Sequence, residues 1–156
     1  MLLFKKYALP YFKPGMKILE IGPARPSCYE EEINQAPKWE TLDWGHSTHK
    51  LVGEYDFGLP DNIYDLVISG QVIEHVRKIW KWMPEVARVC KPGGIVITVN
   101  PVSWRYHTAP YDCWRIYPEG ARALYDDAGL DTLLSEFESL EGGEGVIDTI
   151  TIGRKR

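Results

Sequence analysis

The order of elements in this 156-residue sequence predicts an α/β domain, with a mostly parallel sheet, helices on both faces and an antiparallel pair of strands at the carboxyl end. Three observations carry that reading. "MKILEIG", "YDLVISG" and "IVITVN" are unbroken apolar runs of strand length, the pattern of strands covered on both faces. Segments with helical spacing follow such runs. The last two strand-like runs then succeed one another with no helix between them, which fits an antiparallel pair.

Each element has its own signal. The Pro14-Gly15 turn opens the first strand, Met16 to Gly22. "SCYEEEINQA" reads as a helix, with Ser27 as N-cap, an acidic first turn suited to the helix dipole, and Pro37 as its stop. "KWETLDW" alternates and gives a second strand ending at Asp43, followed by an irregular stretch from Gly45 to Asn62 with a brief strand within "HKLVGEY". After the strand Tyr64 to Gly70, apolar residues at 72, 73, 76, 79, 80, 83, 86, 87 and 90 predict a helix from Gln71 to about Cys90. Lys91-Pro92-Gly93-Gly94 ends it. "YPEGARALYDDAG" is a helix with Pro118 in its first turn and Gly129 past its end. "LDTLLSEFESL" and "GVIDTITIGRK" are strands around the loop 141–144. The chain reads as a single domain, residues 1–156, with no internal repeat.

Composition narrows the class. The chain is 44% hydrophobic and 26% charged, as in an ordinary globular protein. Its net charge of −4 argues against a nucleic-acid binder that holds phosphates by charge. Cys28, Cys90 and Cys113 lack metal or disulfide spacing and read as thiols in a reducing compartment. No apolar run reaches membrane-spanning length, and charges interrupt "MLLFKKYALPYFKPG", unlike a signal peptide. The expectation is a cytoplasmic protein with neither membrane nor nucleic acid as partner.

The turn "ILEIGPARPS" raises the question of a ligand. In an open α/β sheet, ligands bind at the carboxyl ends of the strands. Glu20 and Gly22 sit at such an end, and Asp43 ends the next strand, 21 positions after Gly22. That is close to the roughly 20-residue spacing at which an acid reaches a ribose diol. A dinucleotide needs several glycines for close approach to its pyrophosphate. Here Pro23, Ala24, Arg25 and Pro26 stand instead, which favours a nucleoside cofactor without phosphates over NAD.

"ILEIGP", "VGEYDFGLPDNIYDLVISGQVIEHV" and "EVARVCKPGGIVITVNP" together resemble the class I S-adenosylmethionine-dependent methyltransferases, in their small-molecule branch, from Lys17 to about Leu130. "YHTAPYDCWRIYPEGARALYDDAGL" resembles a subgroup that modifies sugars and polysaccharides. The resemblance implies a Rossmann-like sheet and S-adenosyl-L-methionine as cofactor. It places Glu20 and Gly22 at the methionine and ribose, Asp43 at the ribose hydroxyls, Glu54 and Tyr55 at the adenine, and Ser69, Gly70 and Gln71 beside the methionine portion. The chain departs from the family in its reduced "GPARP" turn and in about ten residues between Asp43 and Glu54, where the family has a helix and strand. Sixteen residues precede the first strand, so the helices that often cap the substrate are expected to be nearly absent.

Methyl transfer from a sulfonium is an in-line displacement that rests on positioning, so no metal is expected. A hydroxyl acceptor still needs a base, and His75, His107 and Asp112 are the candidates. His75, set one turn into the predicted helix, would point over the cleft; the alternative is a packed helix residue. Trp104, Arg105, Tyr111, Trp114 and Arg115, in the loop "VSWRYHTAPYDCWRIYP", are candidate substrate contacts for a small-molecule or glycan acceptor. The alternative there is a loop folded on the core with Asp112 paired to Arg115 or Arg105. Trp80 fits the apolar face of its helix and reads as core or as a homodimer contact. His46 and His49 form an HxxH too weak for a metal site. Two readings of function stay open: a methyltransferase acting at oxygen of a sugar or small molecule, and a binding module of the same fold without activity of its own.

Overall fold

The computed structural model describes residues 2–23, 38–108, 110–139 and 145–156. The helix expected at 27–36 with its Ser27 cap, Cys28 and the loop 141–144 lie outside these residues. Seven strands form one sheet: β1 (Lys17–Ile21), β2 (Lys38–Asp43), β3 (His49–Lys50), β4 (Tyr64–Gly70), β5 (Cys90–Pro101), β6 (Leu130–Ser139) and β7 (Ile147–Lys155). Their order is β3-β2-β1-β4-β5-β7-β6. All neighbours run parallel except β7, which is antiparallel to both β5 and β6. The strand order steps outward from β1 in both directions, so a crevice opens at the carboxyl ends of β1 and β4.

Both sheet faces are covered, which is why the parallel strands read as continuous apolar runs. Leu19, Ile21, Val67 and Val96 point to one side, where they pack with Trp82, Met83 and Val86 of α2 (Ile79–Val89) and with Ala121 and Tyr125 of α3 (Pro118–Asp127). Ile18, Leu66, Ile68, Ile95, Ile97, Ile150 and Ile152 point to the other, against Tyr7 and Ala8 at the end of the short helix α1 (Leu2–Tyr7). Each such side chain contributes roughly 1.5–3 kcal/mol by burial. Among the described residues, no helix is long and apolar enough to cross a membrane.

The segment after β4 departs from the helix expected over Gln71 to Cys90. Gln71 adopts φ +56° and donates its N–H to the Val99 carbonyl, which turns the chain sharply. A single 3-10 turn, Ile73–His75, follows, and Val76 is extended. Helix α2 therefore begins only at Ile79. The apolar spacing is still satisfied, because Ile73 and Val76 reach the core from the 3-10 turn. Trp82, not Trp80, is the core residue of α2: Trp80 is 51% exposed and meets Trp114 edge-on at 6.1 Å. Cys90 and Cys113 are free thiols, the first buried and the second exposed.

Candidate active site

Strand ends build the site. At the end of β1, Gly22 takes φ +66° and donates its N–H to the Leu42 carbonyl. A Cβ there would stand 2.4 Å from Val72 Cγ2, so the close approach of the two turns requires glycine. Together with Ile21, Asp43, Glu54, Gln71, His75 and Tyr111, Gly22 lines a cleft of about 470 Å3. Asp43 stands at its edge, where β2 ends, with Oδ1 accepting the Trp44 N–H at 2.7 Å. Glu54 is fixed by Arg77, which donates its backbone N–H (2.7 Å) and its guanidinium (3.2 and 3.3 Å). Burial alone would raise the Glu54 carboxyl, but these hydrogen bonds outweigh it and hold it below the usual range. Arg77 in turn lies over the Tyr111 ring at 5.1 Å.

The structure brings five of the expected cofactor and catalytic residues to this cleft: Gly22, Asp43, Glu54, Gln71 and His75. Four others stand elsewhere. Glu20 is buried and accepts a hydrogen bond from Trp39 Nε1 at 3.0 Å, on the strand face opposite Ile21. Tyr55 packs against the core cluster beneath the cleft. Ser69 and Gly70 complete β4, behind Gln71, with Ser69 buried.

A second cavity, about 290 Å3, adjoins the first and shares Gln71 with it. Gln71, Glu74, Pro101, Trp104, His107, Val146 and Asp148 line it. Gln71 Nε2 donates to Asp148 Oδ2 at 3.2 Å, while Asp148 Oδ1 is buried with no hydrogen-bond partner. Burial pushes the Asp148 carboxyl up. The same holds for Glu74, 1% exposed, whose two oxygens lack hydrogen-bond partners. Neither acid was singled out in the sequence. Asp148 lies in a run that reads only as a strand, and Glu74 lies inside an apparent helix. The nearest available signal is an acid at a strand terminus for the first, and an acid in an otherwise apolar turn for the second.

The described residues of the loop, 102–108 and 110–117, fold back over the cleft. Cys113 N–H donates to the Glu74 carbonyl (2.7 Å), Trp114 Nε1 to the Val76 carbonyl (2.7 Å), and Asn100 Nδ2 to the Ile116 carbonyl (3.1 Å). Asp112 is tied into an ion pair. Its side chain, 1% exposed, receives Arg115 at 2.5 and 2.8 Å and the His107 backbone N–H at 2.7 Å. The guanidinium holds its carboxyl far below the usual carboxylate range. Arg115 also donates to the Trp104 and Arg105 carbonyls, so it clamps the loop. Trp114 packs on the core through its hydrogen-bonded indole. Trp104 is 45% exposed, with the Arg105 guanidinium 5.9 Å from its ring centroid, and Tyr111 is likewise open to solvent.

The His75 and His107 rings meet edge to face, 4.9 Å between centroids. His75 Nδ1 stands 2.5 Å from the Tyr111 carbonyl and His107 Nδ1 stands 3.2 Å from the Arg105 carbonyl. A carbonyl only accepts, so in both rings the proton resides on Nδ1. Where the sequence offers no ligand cluster, the fold brings Glu74, His75 and His107 together, with one donor atom from each inside 4.8 Å of the others.

Residues 32–98 match the methyltransferase domain family. No curated protein sequence matches the chain. The fold is similar to a SAM dependent methyltransferase from Archaeoglobus fulgidus (TM-score 0.77, 16% identity, 99% of this chain and 92% of that one). It is similar also to a SAM dependent methyltransferase from Aquifex aeolicus (TM-score 0.70, 16% identity, 96% and 87%). The 1,6-didemethyltoxoflavin-N1-methyltransferase of Burkholderia thailandensis, solved with its namesake substrate and S-adenosylhomocysteine, shares the fold at 10% identity (TM-score 0.77, 99% and 75%). Over residues 32–98 the chain is thus similar to the methyltransferase domain, and its fold is the one those SAM dependent methyltransferases share.

Proposed function

We propose that the protein transfers a methyl group from S-adenosylmethionine to a hydroxyl oxygen of a small molecule, with a sugar or glycan as the acceptor class. The observation that carries this reading is the pair of adjoining cavities meeting at Gln71. One holds the nucleoside-recognising acid Asp43; the other holds a buried carboxylate with an unpaired oxygen and the indole of Trp104. Residues present fit the cofactor: Asp43 and Glu54, on the cleft wall beside Gly22, supply acceptors for its hydroxyl and amino groups. When bound, the cofactor supplies an electrophilic methyl on a cationic sulfur.

The chain's own part is to position and to take a proton. Asp148, pushed up by burial and hydrogen-bonded through one oxygen only, is suited to accept the acceptor's O–H proton as the oxygen attacks. A new C–O bond forms, the C–S bond breaks, and a neutral thioether leaves. Trp104 and the exposed rings of Tyr106 and Tyr111 offer flat apolar surfaces for the C–H faces of a sugar.

The test is methyl transfer from labelled S-adenosylmethionine to a panel of free sugars, oligosaccharides, amines and thiols, with the methylated atom read by NMR. Hydroxylated acceptors should lead the panel by at least about tenfold in kcat/KM. Asp43→Ala should raise the KM for the cofactor more than about tenfold, and Asp148→Asn should lower kcat by about 100-fold or more without changing that KM. Methylation confined to nitrogen or sulfur overturns the acceptor class; an unchanged kcat in Asp148→Asn overturns the base.

A further inference from the structure

We propose that Glu74, His75 and His107 form a binding site for one divalent first-row transition-metal ion, set in the wall between the two cavities. The donor set is two imidazoles and one carboxylate, which suits zinc, manganese, cobalt or iron(II) and not magnesium or calcium. His75 lines the cofactor cleft, while Glu74 and His107 line the second cavity.

Four observations converge on it. Glu74 is 1% exposed and neither of its oxygens has a hydrogen-bond partner, an arrangement that is costly unless a cation or a proton completes it. His75 Nε2 stands 3.7 Å from Glu74 Oε1. Both rings are oriented as metal ligands are: each directs Nδ1 to a backbone carbonyl, and His107 Nδ1 has Asp112 Oδ2 at 3.5 Å as well. That leaves both Nε2 lone pairs for a metal, the arrangement in which outer partners fix a ligating imidazole. Finally, the three donors already lie within 4.8 Å of one another. A tetrahedral ion about 2.1 Å from each would hold them about 3.4 Å apart, so closure needs a side-chain adjustment of about an ångström.

The scaffold under these ligands is fixed. Glu74 and His75 belong to one 3-10 turn, whose Glu74 carbonyl is held by Cys113 N–H. His107 is anchored by its own N–H to Asp112, which Arg115 clamps. Three protein ligands leave coordination positions open, and Glu74 and His107 turn these toward the cavity that also contains Asp148. An oxygen of the acceptor would occupy one of them. That last role rests on the methyl-transfer reading; binding of the ion does not.

The experiment uses the full chain stripped with chelator. Co2+ is titrated and followed by visible absorption, and Zn2+ is titrated by calorimetry, with Cys113→Ser as the background because that thiol is exposed. One equivalent should bind, with a Kd of about 10 μM or tighter and a cobalt spectrum of a four- or five-coordinate site. Glu74→Gln and His107→Gln should each weaken binding about 100-fold while melting as the parent does. Should either variant fail to fold, two-dimensional NMR of the histidine rings in the parent chain decides: Zn2+ must move the His75 and His107 ring signals and leave those of His46 and His49 in place. Absence of stoichiometric binding, or ring signals of His75 and His107 unmoved by Zn2+, overturns the site. Methyl transfer that proceeds at an unchanged rate after chelation, in a chain that does bind the ion, overturns only its role toward the acceptor.

Discussion

At Gly22 one hydrogen atom separates a working turn from an impossible one. Replacement by alanine would force a side chain into the left-handed region and press its methyl on Val72. Gly22→Ala should cost about 1–3 kcal/mol in urea unfolding. Adding Val72→Ala should return only part of that, since the backbone strain persists. A full return would show that the clash alone matters. This residue was legible from sequence because its role is a backbone property: a glycine where an apolar run stops. Asp43 was legible for a related reason, being an acid at a strand end, whereas Glu54 followed from the family resemblance alone; both line the cleft. Glu74 and Asp148 were not, because what marks them is burial without a partner, which depends on residues far away in the chain. Asp112 shows the reverse. From sequence it reads either as a base or as the partner of Arg115 or Arg105, and the fold forms the pair with Arg115, three positions on.

Among the elements, the strands followed the sequence closely and the segment after β4 did not. A 3-10 turn and a helix with an extended residue between them preserve the same apolar spacing as one helix, so periodicity could not tell them apart. The positive φ of Gln71 is the deciding event, and glutamine gives no warning of it. The Val102–Tyr117 loop is the element whose order depends most on polar contacts. Arg115 joins Asp112 to the Trp104 and Arg105 carbonyls, so Arg115→Met would leave a buried carboxylate without its cation, held only by the His107 N–H. That change should cost about 3 kcal/mol and speed exchange of the Cys113 and Asp112 amides about 100-fold, read by hydrogen-exchange mass spectrometry. Exchange confined to its original rate would mean that the Trp114 and Asn100 hydrogen bonds suffice to hold the loop.

For the whole molecule, charge pairing sets the response to acid. Arg88 holds the Glu85 carboxyl low, Arg115 does so for Asp112 and Lys6 for Glu138. At Glu40 burial would raise the group, but Tyr64, His49 and Lys17 together bring it below its ordinary value. A depressed folded-state pKa stabilises the protein above the unfolded value of about 4, and that stabilisation is lost as pH falls through the folded value. Glu74 and Asp148, raised by burial, act the other way and favour the folded state as pH falls toward their values. The urea midpoint should therefore not drop from pH 7 to 5 and should decline below pH 4; a decline already complete at pH 5 would contradict it. The sheet order itself was legible only as a class, since sequence shows that strands alternate with helices but not which ones touch.

The single reversed strand has a consequence for how this architecture acquires chemistry. Parallel strands can present only their final residues at the crevice, whereas β7 enters it with its opening residues, Pro101 standing opposite Asp148 in the ladder. Because side chains alternate along a strand, a slip of one position would deliver Thr149 where the carboxylate now stands. The pairing of the last strand is thus a tuning fork for the second cavity: its pitch, counted in single residues, decides whether an acid or an alcohol lines it.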